Sequence, residues 1–361
     1  MFKKSKKIST GIDISSGGFS IAAVSKEGDQ LNLENFAYNY FEQNVFMDGM
    51  IIKPEIFADV VKKTLDENNF DIKSVNVGIA SNITFSKIIT LPDLPREELK
   101  LIAQQEAARS FPLPIEEMNF DFEILENTRS DNKVDVIICA LPKKIAKNVV
   151  DSFSLAGVNV EAIDIGSYAM IRTLANAEMI NNPNLTYVSV LVGYENTDIN
   201  IVNNGMPVYS HNIQTGKRNI LESLKRELHL NYWEEAETML PNLNIIVSET
   251  DLSPDSDVYK ASNAAKNIFI NIASEIQKTV NFYTSQKGES AMPDKIILGG
   301  SGICIGNIDK YLSNKLKIDT VVCEALKNIS YQSELKENRA IPLNVQALTT
   351  IIGLALKGLQ D

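Results

Sequence analysis

Histidine and cysteine are scarce in this chain: its 361 residues include two histidines, His211 and His229, and three cysteines, Cys139, Cys304 and Cys323. The cysteines are odd in number and far apart, which argues against a disulfide framework and suits a reducing compartment. The histidines lie near no cysteine and lack the i, i+4 spacing of a helical metal pair, so no zinc site is expected. No apolar run reaches the roughly 18 residues that a membrane span requires. The lysines among Met1 to Lys7 are followed by no apolar stretch, so this segment does not read as a secretory signal. Positive charge is in deficit. With 35 basic against 46 acidic side chains the net charge is −11, and no concentrated cationic face is written that would hold nucleic acid.

What is present suffices for a large core. Hydrophobic residues make up 44% of the chain and charges are well mixed, so a folded, two-domain-sized α/β protein is expected. One supersecondary unit is used twice. Ile8 to Asn39 and Tyr187 to Thr215 each read as a β-branched strand, a small polar turn, a second strand, a tight turn at Glu27-Gly28 or Asn204-Gly205, and a third strand. Ser15 to Val24 aligns on Gly193 to Val202 without a gap, at an offset of 178. Such a duplication predicts two related halves facing a cleft, each offering backbone N–H groups from a β-turn.

Between the halves the pattern changes to strand, strand, helix, strand, helix. Ser74 to Ala80 and Ile83 to Leu91 read as strands, and Pro95 opens a helix that Pro112 closes. Val134 to Ala140 is a further strand, and the next helix carries Ile145, Val149 and Phe153 on one face and stops at Gly157. The expected division is a first lobe of residues 8–82, completed by 163–182 and 343–361, an inserted α+β module of 83–162, and a second lobe of 183–342. The stretch from Ser248 to Ser256 reads as a loop, Ala261 to Thr284 as a long helix, and Leu343 to Lys357 as apolar enough to close the lobes over each other. Asp164 reads as the N-cap of the helix that follows it, and Trp233 as core beside the helix of Glu237.

Three small-residue turns follow one another in order: Asp13 with Ser15, Ser16 and Gly17; Gly193 with Asn196 and Thr197; and Gly299, Gly300 and Ser301. They resemble the two phosphate loops and the adenosine loop of the actin-like ATPases. That resemblance implies an actin-like, ribonuclease H-like two-lobed fold, ATP in the cleft, and Asp13 holding magnesium through water. Gly216 with Lys217, and Glu237 on the following helix, fall at the positions where that superfamily places its connecting glycines and a further nucleotide-binding acid.

Within the superfamily, the segment from Ile88 to Leu125 resembles the signature of the PilM family of type IV pilus assembly proteins. Its features are Leu91-Pro92, Glu98-Leu99, Glu106, Phe111-Pro112-Leu113 and Asp121-Phe122, with further likeness at Glu234 to Thr238 and Ile351 to Gly358. The resemblance implies a cytoplasmic adaptor that receives the N-terminus of a PilN-like inner-membrane protein, and is so recruited to the inner face of that membrane. FtsA, the divisome relative, shares the inserted module, but its amphipathic membrane anchor has no counterpart after Gly358.

The nucleotide motifs depart from the family pattern. Ser15 replaces a glycine and Ser20 a lysine in the first loop, while the acid that opens the second loop is Leu191. The helix of Glu237 keeps its acid but carries Leu240 where the family has a lysine. Losing a carboxylate removes part of a magnesium shell without removing backbone contacts to phosphate, so hydrolysis is expected to be slow or absent. A sugar or acid kinase of the same superfamily would need an acid to deprotonate its acceptor hydroxyl, and Leu191 argues against that alternative.

Overall fold

In the computed structural model, residues 6–41, 45–246, 253–288, 291–331 and 348–360 are described. The β-branched runs pair as antiparallel ladders: β1 (Lys7–Ser15), β2 (Gly18–Glu27) and β3 (Gln30–Tyr40) form a meander. A short hairpin, β4 (Phe46–Met47) and β5 (Met50–Ile51), leads to α1 (Pro54–Glu67). The helix opens on Pro54, whose missing N–H is no loss in a first turn. Its Phe57, Ala58, Val61 and Leu65 turn inward at helical spacing, and β6 (Ser74–Ile79) then pairs parallel to β1.

Four elements follow that build a separate small sheet: β7 (Phe85–Pro92), α2 (Arg96–Ser110), β8 (Met118–Ser130) and β9 (Lys133–Pro142). The strand order is β7-β9-β8, and α2 packs Leu99, Ala103 and Ala107 against Phe122, Ile124, Val136 and Ile138. The chain then returns to the first lobe through α3 (Lys143–Leu155), β10 (Asn159–Ile165) and α4 (Gly166–Asn176). The sequence reading carries the inserted module to residue 162, whereas α3 and most of β10 pack elsewhere. Ala146, Val149 and Phe153 of α3 share a core with Phe57 and Val61 of α1, Phe153 meeting Phe57 edge-on at 5.1 Å, and β10 pairs with β6. An apolar helix face says that a helix is covered, not by which sheet.

The second lobe repeats the first. A meander of β11 (Thr186–Val192), β12 (Thr197–Asn203) and β13 (Met206–Ile213) is followed by α5 (Lys217–Glu227), α6 (Trp233–Met239) and α7 (Asp257–Lys287). Next come β14 (Lys295–Gly299), α8 (Ile308–Leu316) and β15 (Asp319–Val322). The sheet order is β13-β12-β11-β14-β15, and the first lobe runs β3-β2-β1-β6-β10 in the same sense, with β16 (Ile329–Tyr331) added beside β3. The strand β16 therefore joins the first lobe's sheet, although the sequence reading places those residues in the second. The duplication extends to register: Asp13 sits opposite Ser20 in the first hairpin and Leu191 opposite Asp198 in the second.

The lobes meet on α4 and α9 (Leu348–Lys357). Met170 and Leu174 of α4 and Ile351, Ile352 and Ala355 of α9 share one core with Ala22 and Val24 of β2 and Leu191 and Ile297 of the second lobe. The two helices touch backbone to backbone at Gly353, where a Cβ would lie 1.8 Å from the Ala169 carbonyl oxygen. Residues 343–347 and 248–252 of the sequence-predicted closing segment and loop lie outside the described residues. Among the described residues no helix is long and apolar enough to cross a membrane.

Candidate functional site

Strand alternation and hairpin pairing bring the three predicted turns to one cleft between the lobes. In the first, Asp13 near the end of β1 is half-buried, and the Ser15 hydroxyl donates to the Gly18 carbonyl oxygen at 3.2 Å. Burial, with Glu195 and Asp198 nearby, pushes the Asp13 carboxyl up to about 7. An acid half-protonated near neutrality holds a hydrated cation less strongly than a full carboxylate does.

The second turn is fixed from below by α5. The backbone N–H groups of Lys217 and Arg218 donate to the carbonyls of Gly193 and Tyr194 at 2.9 and 2.8 Å, and the Thr197 hydroxyl donates to the Thr215 carbonyl at 2.6 Å. A Cβ on Gly216 would lie 2.6 Å from the Tyr194 carbonyl oxygen, so the α5 start can approach the turn only as glycine. Two side chains of this turn cross to the other lobe. The Glu195 carboxylate accepts the Ser16 backbone N–H at 2.7 Å, and the Tyr194 ring covers Gly17.

Where the second loop lacks its acid, the side chain is committed to packing. Leu191 is buried in the interlobe core, its Cδ1 2.9 Å from where a Cβ on Gly300 would stand. An acid stands directly across the hairpin instead: Asp198 is buried, accepts from Ser81 Oγ, from Asn212 Nδ2 at 2.8 Å and from Asn196 Nδ2 at 3.4 Å, and burial raises its pKa. The duplication offset maps Asp198 on Ser20, a signal that register could have supplied from sequence.

On the far wall Lys217 and Glu237 form an ion pair, their side chains 12% and 16% exposed, so the one cation among the described lining residues is already paired. The second oxygen of Glu237 is buried without a hydrogen-bond partner. Gly300, at φ +96°, turns the chain after β14 so closely on Val192 that a Cβ would meet its carbonyl oxygen at 2.4 Å. The cavity between these walls measures about 320 Å³ and is lined by Asp13, Ser15, Gly17, Gly193, Lys217, Glu237, Gly300 and Ser301 of the predicted set.

Ser16, Asn196, Thr197, Gly216 and Gly299 of that set do not line the cavity: they hold the turns in shape or fill the packing behind them. Sequence reasoning missed the aromatic side of the cleft, where Phe36, Tyr38 and Tyr40 on β3 join Tyr194. Trp233 meets Tyr40 edge-on at 5.0 Å and is only half-buried. Asp164 is no helix cap. Its carboxylate is paired with Arg172 at 2.9 Å and with Lys357 at 3.7 Å, and Arg172 also donates to the Gly353 carbonyl.

The cavity has two ends. One is an apolar and aromatic wall beside the Glu237 oxygen, a buried acceptor whose missing donor a ribose hydroxyl would supply. At the other end Ser15, Gly17 and Gly193 line the cavity with Asp13, whose carboxyl pKa is raised by burial and by Glu195 and Asp198, and the one cation among the described lining residues is paired.

The sequence profile of the family described as "Type IV pilus assembly protein PilM" matches residues 11–359. The chain belongs to the PilM family. The fold of this PilM-family chain matches one in a structure described as the "PilM-PilN type IV pilus biogenesis complex", with a TM-score of 0.82 at 19% identity, over 98% of this chain and 99% of that one. It also matches the ethanolamine utilization protein EutJ of Carboxydothermus hydrogenoformans, at a TM-score of 0.54 and 13% identity over 97% and 90% of the two chains. A third match is MreB5 of Spiroplasma citri bound to AMPPNP, at 0.51 and 12% over 96% and 94%. The fold is that of the actin-like ATPases, with an inserted α+β module.

Proposed function

We propose that this chain is a cytoplasmic actin-like adaptor of type IV pilus assembly that binds the cytoplasmic N-terminus of a PilN-like inner-membrane protein. The observation that carries the reading is the match to the PilM–PilN complex across 98% of this chain, which includes the small sheet and α2 as well as both lobes. Through that partner the adaptor is held at the inner face of the membrane. An extended peptide is a suitable ligand for a mixed α/β surface, because main-chain hydrogen bonds supply affinity and alternating pockets supply specificity. In the cleft an adenine nucleotide is held by Ser15 and the turn backbones at its phosphates and by Glu237 and Gly300 at its nucleoside end. With magnesium, Asp13 holds the ion's water. Turnover is slow or absent, because Leu191 replaces an acid and Lys217 is paired with Glu237.

The test is a titration of the chain with a synthetic peptide copying the cytoplasmic N-terminus of the PilN-like protein encoded beside it. Binding at micromolar affinity or better is expected. A folded chain that binds no such peptide by calorimetry or pulldown, while phosphorylating a sugar or acid, would overturn the adaptor reading. ATP binding measured with and without magnesium separates nucleotide binding from partner binding.

A further inference from the structure

The amide that the first turn would offer to a phosphate is already taken. Ser16 N–H donates to a Glu195 carboxylate oxygen at 2.7 Å, between residues 179 apart in sequence and on opposite lobes. The Tyr194 ring closes over the same turn, 2.4 to 2.8 Å from where a Cβ on Gly17 would stand. Neither contact is incidental to a loose loop, since the α5 N–H groups of Lys217 and Arg218 hold the Gly193 and Tyr194 carbonyls from the other side. A carboxylate oxygen on a backbone N–H is the same chemistry as a phosphate oxygen there: an anionic acceptor on an oriented donor. The duplication sharpens the point. At its offset Glu195 is the counterpart of Gly17, so the second hairpin projects an acid where the first carries no side chain.

We propose that Glu195 is an internal occupant of the phosphate position, a latch that closes the first turn on the second lobe and that an incoming nucleotide's phosphates must displace. This rests on the reading of the cleft as a nucleotide site. Displacing the latch breaks a charge-assisted hydrogen bond and brings two anions together, so the penalty falls on the phosphates and not on the nucleoside.

The experiment compares ATP, ADP and adenosine binding by calorimetry for wild type, Glu195→Ala and Glu195→Gln, each checked for folding by circular dichroism. Amide exchange of residues 14–18 is followed by mass spectrometry without nucleotide. Expected in Glu195→Ala are an ATP affinity higher by about tenfold or more, adenosine affinity within about twofold of wild type, and faster exchange of the turn. Glu195→Gln, which keeps an acceptor for Ser16 but no charge, falls between. ATP affinity unchanged or reduced in Glu195→Ala, an equal gain for adenosine, or unchanged exchange each overturns the latch and leaves the nucleotide site standing. If none of the three proteins binds ATP, ADP or adenosine, the nucleotide reading fails and the latch as a ligand gate fails with it.

Discussion

Replacing Asp13 by asparagine in nucleotide-free, magnesium-free protein tests the electrostatics of the cleft. Burial, then Glu195 and then Asp198, push the Asp13 carboxyl from its ordinary 3.8 up to about 7. The folded state therefore holds the proton more tightly than the unfolded chain does. Below about pH 4 both states are protonated and the group contributes nothing; as pH rises toward 7 the unfolded chain ionises first, and the fold loses stability until the folded carboxyl ionises too. At about 1.4 kcal/mol per pKa unit the loss reaches roughly 4 kcal/mol above pH 7, as an upper bound. Asparagine keeps the shape and carries no charge. Urea denaturation should show Asp13→Asn more stable than wild type by up to roughly 2 kcal/mol at about pH 5 and up to roughly 4 kcal/mol at about pH 8. Groups common to both proteins cancel in the difference, apart from what Glu195 and Asp198 gain when their neighbour is neutral, which has the same sign. Parallel stability profiles for the two proteins would refute the claim that three acids confront one another across the cleft.

Leu191→Asp, which restores the missing acid by type, should not restore hydrolysis. It places a charge in the core of Met170, Ile297 and Ile351 opposite Asp198, and should lower stability by roughly 3 kcal/mol or more in chemical denaturation, with no gain in phosphate release. Gly353→Ala, a change that in an exposed helix stabilises by about 1 kcal/mol, should here have the opposite sign, because its Cβ meets the Ala169 carbonyl oxygen at 1.8 Å. The melting temperature reports it. Arg172→Met removes the 2.9 Å partner of the Asp164 carboxylate, leaving it Lys357 at 3.7 Å and the Ile165 N–H, and takes the side-chain donor from the Gly353 carbonyl, so a loss of roughly 3 kcal/mol is expected in urea denaturation.

The hairpins were legible because their information is local. Alternating β-branched residues and a turn every few positions specify a meander wherever it occurs, and the gapless repeat exposes the second copy. Asp13, Gly193, Lys217 and Gly300 stand at or near a strand end or a helix start, whereas Glu237 lies inside α6; the resemblance to the actin-like ATPases is what singles these five out. Glu195 and Tyr194 are not legible in this way: their partners are the backbone of Ser16 and the empty space over Gly17, and a hydrogen bond to a main-chain N–H leaves no mark on the sequence of the donor. Only the repeat register, which sets Glu195 against Gly17, carried a trace. The assignment of α3 to the inserted module failed on a different ground. Its apolar face is correct, but Phe153 could satisfy either sheet, and the choice is made by Phe57, nearly a hundred residues earlier. Asp164 looked like a cap because Arg172, two turns further along α4, and Lys357, at the other end of the chain, are not neighbours in any local window.

The cleft and the inserted sheet share one buried junction. Asp198, directly opposite Leu191 in the second hairpin, accepts from Asn212 and from Ser81, and Asn212 also donates to Ser81 at 2.9 Å. Ser81 lies in the short turn between β6 and β7, where the chain leaves the first lobe for the small sheet. Five residues on, Ser86 in β7 meets the Tyr168 hydroxyl at 3.0 Å, which ties the same root to α4 and so to the interlobe core. A buried carboxylate tolerates the loss of such donors poorly, each hydrogen bond to a charged group contributing about 1.5–3 kcal/mol. Asn196 of the second turn donates to the same Asp198 carboxylate at 3.4 Å, so the turn and the root of the small sheet meet on one buried acid.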